Sequence, residues 1–172
     1  MPAKSDNDLS KWKYELHTWI KHQLLVNYLV PWSKILGSWS NTLALVDGFA
    51  GRGRFPSGEK GSPLLVLDIA QRALAAPGMR TQRIVCHFVE LNSDNFENMK
   101  AEVALHPAYA DQSIDIRLYN SRFSEASEGI VQQIKVAGQP SFFFLDPFGY
   151  DDPPMEILRP ILALERAELW SI

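Results

Sequence analysis

An apolar run that breaks into an acid and then into glycines constrains this chain more than any other feature. Leu43-Ala44-Leu45-Val46 leads into Asp47-Gly48-Phe49-Ala50-Gly51-Arg52-Gly53, with three glycines in six positions. A short continuous apolar run bounded by a turn signal reads as a buried parallel strand. Glycines directly after it let the chain turn sharply and bring its backbone close to a ligand. The next helix signal is Ser62-Pro63, a capping residue followed by a proline suited to a first helical turn. Strand, glycine loop and helix together open a nucleotide-type α/β domain. The competing reading is a glycine-rich hairpin loop that binds nothing.

The rest of the chain repeats that grammar. Apolar positions from Leu9 to Leu36 fall at helical spacing, and Pro31 is expected to kink or split this helix near Val30. Its lysines and His22 read as a solvated face, or as groups of which Lys21 or His22 reaches the ligand mouth. Strands are expected at about 42–46, 83–89, 114–119 and 141–145, with helices at about 62–76, 93–105, 123–136 and 153–164 between and after them. A fifth apolar run, Leu169-Trp170-Ser171-Ile172, follows. This alternation predicts a Rossmann-like, mainly parallel sheet with helices on both faces. Residues 1–40 form a helical lead-in and 41–172 the α/β unit, one domain in all. A chain ending on an apolar strand leaves a sheet edge uncovered, so truncation after the fifth strand is expected.

Composition narrows the classes. With 46% apolar and 22% charged residues among 172, a packed core forms and global disorder is excluded. A net charge of −3 offers no overall basic field to draw in nucleic acid. The single cysteine, Cys86, lies inside an apolar run and reads as a buried thiol in a reducing compartment. No window approaches the ~18 apolar residues of a membrane span. The polar start, Met1 to Asp8, is unlike a signal peptide, so a cytoplasmic protein is expected.

Open α/β sheets bind ligands at the carboxyl ends of their strands. Read in order, those ends carry Asp47 with the glycines, Glu90-Leu91, Asn120, and Asp146-Pro147-Phe148-Gly149-Tyr150. The glycine loop, Asp47 to Gly53 with Phe49 and Ala50, packs on the ligand and offers backbone N–H groups. Glu90 accepts hydrogen bonds from ribose hydroxyls, and Asn120 meets an adenine edge. Asp146 orients an amino acceptor, with Phe148 or Tyr150 stacked on a planar base; the competing reading is a turn cap with core aromatics. Dinucleotides and P-loop nucleotides fit poorly. The helix opens nine residues after Gly53, and Glu59-Lys60-Gly61-Ser62 interrupts the lysine–serine pair of a P-loop. An adenosyl ligand without phosphates, S-adenosylmethionine, fits better. His87 reads as a satisfied core histidine. His17, His22 and His106 share no metal-ligand spacing, so no metal is expected.

Several of these segments together resemble the three-Cys-motif partner protein (TcmP) family. They are Asp47-Gly-Phe-Ala-Gly-Arg-Gly53, Gly61-Ser-Pro-Leu64, His87-Phe-Val-Glu-Leu-Asn92 and Phe142-Phe-Phe-Leu-Asp-Pro-Phe-Gly-Tyr150, with Lys21-His22, Tyr28-Leu29 and Trp32 upstream. The resemblance spans nearly the whole chain. It implies a class I methyltransferase fold in which Asp47, Gly48, Gly51 and Gly53 match the first cofactor motif and Glu90 the ribose acid. Asp146-Pro147-Phe148 matches the Asp-Pro-Pro-Tyr position of enzymes that methylate amino groups of nucleic-acid bases. It also implies a partner, a three-Cys-motif protein related to radical-S-adenosylmethionine proteins. The sequence departs from the pattern where Phe148 replaces the second proline and Gly149 the stacking aromatic. That departure opens a second reading, a catalytically degenerate methyltransferase-like binding module in a two-component nucleic-acid-modifying or defence system.

Overall fold

The computed structural model describes residues 13–147 and 153–171. Five strands form one sheet: β1 (Thr42–Asp47), β2 (Arg83–Val89), β3 (Ile114–Tyr119), β4 (Ser141–Leu145) and β5 (Ala167–Ser171). Their order is β3-β2-β1-β4-β5, and every pairing is parallel. Five α-helices connect or precede them, α1 (Leu16–Gly37), α2 (Ser62–Ala75), α3 (Ser93–Leu105), α4 (Phe123–Ala137) and α5 (Met155–Leu162), with a short 3-10 helix at Pro107–Ala110 before β3. The chain is therefore α/β and Rossmann-like, as the alternation predicts.

β1 is the central strand because both its faces are apolar. Leu43 and Leu45 point into a core closed by α1, α2 and α3; Ala44 and Val46 point into a second core closed by α4 and α5. The period of two carries the same division across the sheet. Ile84, Cys86, Phe88, Phe142 and Phe144 join the first core, and Phe143 and Leu145 the second. Phe142 is 1% exposed and touches Tyr28, Trp32 and Trp170, so one ring ties α1 to β4 and β5. Among the described residues, no helix is long and apolar enough to cross a membrane.

Boundaries depart from the sequence reading in physically clear ways. Residues 9–12 lie outside the described residues, and residues 13–15 are not helical, so the lead-in helix starts at Leu16 rather than Leu9. Pro31 does not split it; α1 runs unbroken for 22 residues. Asn27, Val30 and Pro31 are exposed, so the Asn27 carbonyl left without a partner by proline faces solvent. Gly61, not Ser62, is the N-cap of α2, with Pro63 in the first turn. Asn92, not Ser93, caps α3, its side chain accepting the Asn95 N–H at 2.9 Å. α5 is shorter than expected, 155–162 against 153–164, and β5 begins two residues earlier, at Ala167. The expected turn at Asp151-Asp152 lies outside the described residues.

Phe142→Ala should open a cavity between α1 and the sheet. We expect a loss of roughly 3–5 kcal/mol in urea unfolding monitored by tryptophan fluorescence, without a change in the cooperativity of the transition.

Candidate functional site

The candidate groups among the described residues stand at the carboxyl end of the sheet. Asp47 is the last residue of β1, level with Phe88 of β2 and Phe144 of β4. Glu90 follows β2 directly, Asn120 follows β3 and Asp146 follows β4. Each is an even number of residues from a side chain in the first core: Leu45, Phe88, Leu118 and Phe144 respectively. Strand alternation therefore aims all four towards the face covered by α1, α2 and α3. The strand order also reverses between β1 and β4, the place where open α/β sheets form a crevice.

Asp47 is 1% exposed, and its Oδ2 has no hydrogen-bond partner. Oδ1 accepts the Phe49 N–H at 3.2 Å. Burial pushes this carboxyl up to about 7; the Ser62 hydroxyl and the Phe49 N–H oppose that, while the charges of Asp146 and Glu90 add to it. Burial likewise raises Glu90, against the backbone N–H groups that it accepts. Those come from Gly51 to Oε2 at 2.8 Å and from Asn92 to Oε1 at 2.7 Å. The Asn95 side chain and the Leu91 N–H also bear on this carboxylate.

The glycine loop differs from its expected role in one respect. The N–H groups of residues 48–51 are already engaged inside the protein. Gly48 donates to the Phe144 carbonyl at 3.0 Å, Phe49 to Asp47, Ala50 to the Val89 carbonyl at 2.9 Å and Gly51 to Glu90. Gly51 and Gly53 take φ of 65° and 84°, the left-handed region, which folds the loop back over the end of β2. At Gly48 the demand is steric: an added Cβ would lie 2.5 Å from Leu145 Cδ2 and 2.9 Å from Phe123 Cδ2. The Phe49 ring leans to the opposite face, against Phe123, so this residue brings its backbone rather than its side chain to the acids. Ala50 is buried in the first core.

A small hairpin then projects from the loop. Arg54 pairs with Lys60 in an antiparallel bridge, and the Gly61 N–H closes on the Gly53 carbonyl at 2.7 Å. Arg54–Glu102 at 2.7 Å and Lys60–Asp68 at 2.6 Å clamp the hairpin to α3 and α2. Its Phe55 ring meets Tyr14, with centroids 5.0 Å apart, and Tyr14 Oη lies 3.2 Å from His22 Nδ1. Burial, with Lys21 next to it, lowers His22 to about 4, so the ring is neutral near pH 7. On the other side Lys21 Nζ lies 2.6 Å from Asp146 Oδ1. The N-terminal turns of α1 thus reach from the hairpin to the end of β4.

The structure brings together Asp47, Gly48, Gly51, Glu90 and Asp146. Asn120 acts as a brace: its Nδ2 donates to the carbonyls of Glu90 and Leu91, and its Oδ1 accepts from Ser93 Oγ. Leu91 is exposed at the rim. Gly53 lies against α3, and Pro147 is half-buried beside Asp146. Phe148 and Tyr150 lie outside the described residues. Lys21, weighed from sequence for a place at the mouth, takes one; Tyr14 and Phe55 carried no sequence signal. His87 is only half satisfied: Nδ1 meets Tyr119 Oη at 3.0 Å while the buried Nε2 has no partner, and burial lowers the ring to about 4. Cys86 is a buried free thiol whose pKa burial raises. Among the described residues no three His, Cys, Asp or Glu side chains cluster to hold a metal ion.

No protein-family model and no curated protein matches this chain. The site is therefore read from its chemistry. It offers acceptors from Asp47, Glu90 and Asp146, one lysine already paired, and in the glycine loop Arg52, whose buried Nε has no partner. The carboxylates suit a ligand rich in donors or positive charge.

Asp47 gives a pH signature with a definite sign. Its folded pKa is raised, so the native state holds a proton that the unfolded chain releases. Its contribution is full below about pH 4 and is lost as pH rises through about 7. Relative to Asp47→Asn, the wild type should lose stability across that window by on the order of 1 kcal/mol per pH unit. Paired urea melts from pH 4 to 8 measure the difference, which cancels the histidine contributions. Separately, Gly51→Ala should destabilise the fold by about 1 kcal/mol, read in the same melts, because alanine resists the left-handed backbone.

Proposed function

We propose that this chain binds S-adenosylmethionine at the carboxyl edge of its sheet and acts as a methyltransferase on nucleic acid. The observation that carries the cofactor reading is the state of the glycine loop. The N–H groups of Gly48, Phe49, Ala50 and Gly51 all donate within the protein, so this stretch is no phosphate cradle. The polar capacity left over is acceptor capacity on carboxylates together with one buried donor of the loop, Arg52 Nε. An adenosyl ligand with two ribose hydroxyls, an ammonium and a sulfonium matches that set, and a nucleoside phosphate does not.

In this reading Glu90 holds the ribose hydroxyls, and the unpartnered Asp47 Oδ2 takes a donor from the amino-acid end of the ligand. Bound S-adenosylmethionine supplies an electrophilic methyl group. Asp146 orients the acceptor nitrogen at the end of β4, where positioning rather than covalent catalysis lowers the barrier. Phe148 or Tyr150 provides the stacking surface. The nucleic-acid acceptor and the three-Cys-motif partner protein rest on the resemblance of the motifs and on no geometric observation.

A second reading has its own support. Asp146 is already paired with Lys21, and Gly149 stands where amino-methylating enzymes place an aromatic residue. Both features suit a binding module that keeps the ligand site and leaves chemistry to its partner. Calorimetric titration of the full chain with S-adenosylmethionine should show micromolar binding that Asp47→Ala and Glu90→Ala each weaken at least tenfold. No heat from the wild type would sink the cofactor reading. Binding without methylation of DNA or RNA, in the presence of the partner protein, would favour the module.

A further inference from the structure

Three carboxylates converge on this edge, and the cation aimed at them comes from a different element. Lys21 lies in the second turn of α1, yet its Nζ sits 2.6 Å from Asp146 Oδ1, 125 residues on. The two side chains keep 28% and 25% of their exposure, so the pair is largely shielded from water without being sealed. Asp146 in turn is close enough to raise the pKa of Asp47 through its charge. Lys21 therefore bears on the electrostatics of the whole cluster, through Asp146.

The reading of the site as an adenosyl-ligand site underlies the next step. We propose that Lys21 is a positioning residue that holds Asp146 and cancels its charge, and so sets how strongly the site prefers a cationic ligand to its neutral counterpart. S-Adenosylmethionine carries a sulfonium charge and S-adenosylhomocysteine does not; their adenosyl and amino-acid portions are otherwise alike. With Asp47, Glu90 and Asp146 all unbalanced, the cation would be held far more firmly than the neutral form. With Lys21 present and Asp146 neutral, the preference would invert. The pair keeps the two ligands comparable, which is what a site must do if the neutral form is to leave.

The position of Lys21 supports this role over that of a surface brace. α1 is already anchored to the sheet by Leu25, Leu29 and Trp32, all buried in the first core. Its N-terminal turns are also held through His22, Tyr14 and Phe55. An ion pair with 2.6 Å geometry at Asp146 adds little to that anchoring and much to the local charge.

The test is a double-mutant cycle on the full chain, with S-adenosylmethionine and S-adenosylhomocysteine titrated separately by calorimetry. Lys21→Met should raise the affinity ratio of the cationic to the neutral ligand by about tenfold, and Asp146→Asn should lower it by a similar factor. Lys21→Arg should leave it near the wild-type value. The double variant should return close to wild type, because removing both charges leaves the cluster with the same net balance. A ratio unmoved by Lys21→Met, or a double variant that keeps the ratio of either single variant, overturns the proposal. If the wild type binds neither ligand, the adenosyl reading fails and takes the charge-setting role with it. The pairing is then judged by itself in the ligand-free protein. In carbon-13 NMR of the ligand-free protein the Asp146 carboxyl resonance should shift in Lys21→Met and not in Lys21→Arg; a resonance unmoved by Lys21→Met overturns the pairing.

Discussion

Asp47 is a carboxyl at the end of a strand that is walled on both faces, with one oxygen that meets no donor. A buried polar atom in that condition is costly unless a partner supplies a hydrogen bond. The surroundings of Asp47 follow from this constraint. β1 is central and apolar on both sides, so its last side chain is dragged into the interior. The glycine loop then turns back at once, because Gly48 leaves no room for a Cβ between Leu145 and Phe123. That turn carries the Gly51 N–H to Glu90 and the Ala50 N–H to the end of β2. The N–H groups of residues 48–51 are thus satisfied, whereas Asp47 Oδ2 and Arg52 Nε are not. The unmet capacity of Asp47 lies on an acceptor, which selects ligands by their donors.

The roof over the edge follows from a separate set of forces. α1 is anchored by apolar contact along its middle, where Leu25, Leu29 and Trp32 meet the sheet, and Phe142 ties it to β4 and β5. Its first turns project past that anchor. There the hairpin 54–60 meets it with Phe55, while Asp146 meets it with a carboxylate. Arg54 and Lys60 hold the hairpin to α3 and α2, so the roof rests on fixed supports rather than on a loose loop. Aromatic contact on one side and charge on the other give the mouth two unlike walls.

Much of the fold was legible because its elements obey local rules. β2, β3 and β4 stand where apolar runs between turn signals place them, at Arg83–Val89, Ile114–Tyr119 and Ser141–Leu145. α4 stops at Gly138, in the left-handed conformation that ends helices. The misread points are those where two local signals compete. Asn92 and Ser93 are both good caps, and only the path of the chain after Glu90 decides that Asn92 faces the helix. Pro31 breaks helices by rule, yet here the carbonyl it leaves free lies on the solvent side while Leu29 and Trp32 hold the helix on either side of it. His87 looked like a satisfied core residue, but a strand pattern reports burial and not the partners of each ring nitrogen.

For the site, the sequence by itself determined that Asp47, Glu90, Asn120 and Asp146 stand at strand ends, because strand ends are marked by the chemistry of the chain around them. Their common face was not legible, because strands apolar on both faces do not say which face is which; it follows from the alternation only once the two cores are in place. The tertiary structure alone decided what each group does there. Whether a loop N–H faces a ligand or a neighbouring carbonyl depends on the register between β1, β2 and β4, which no local pattern encodes. Whether Lys21 meets water or Asp146 depends on how α1 crosses the sheet, a matter of packing between residues 125 positions apart. Local order follows from propensity and periodicity, whereas hydrogen-bond partners and charge balance are settled only when distant segments are brought into contact.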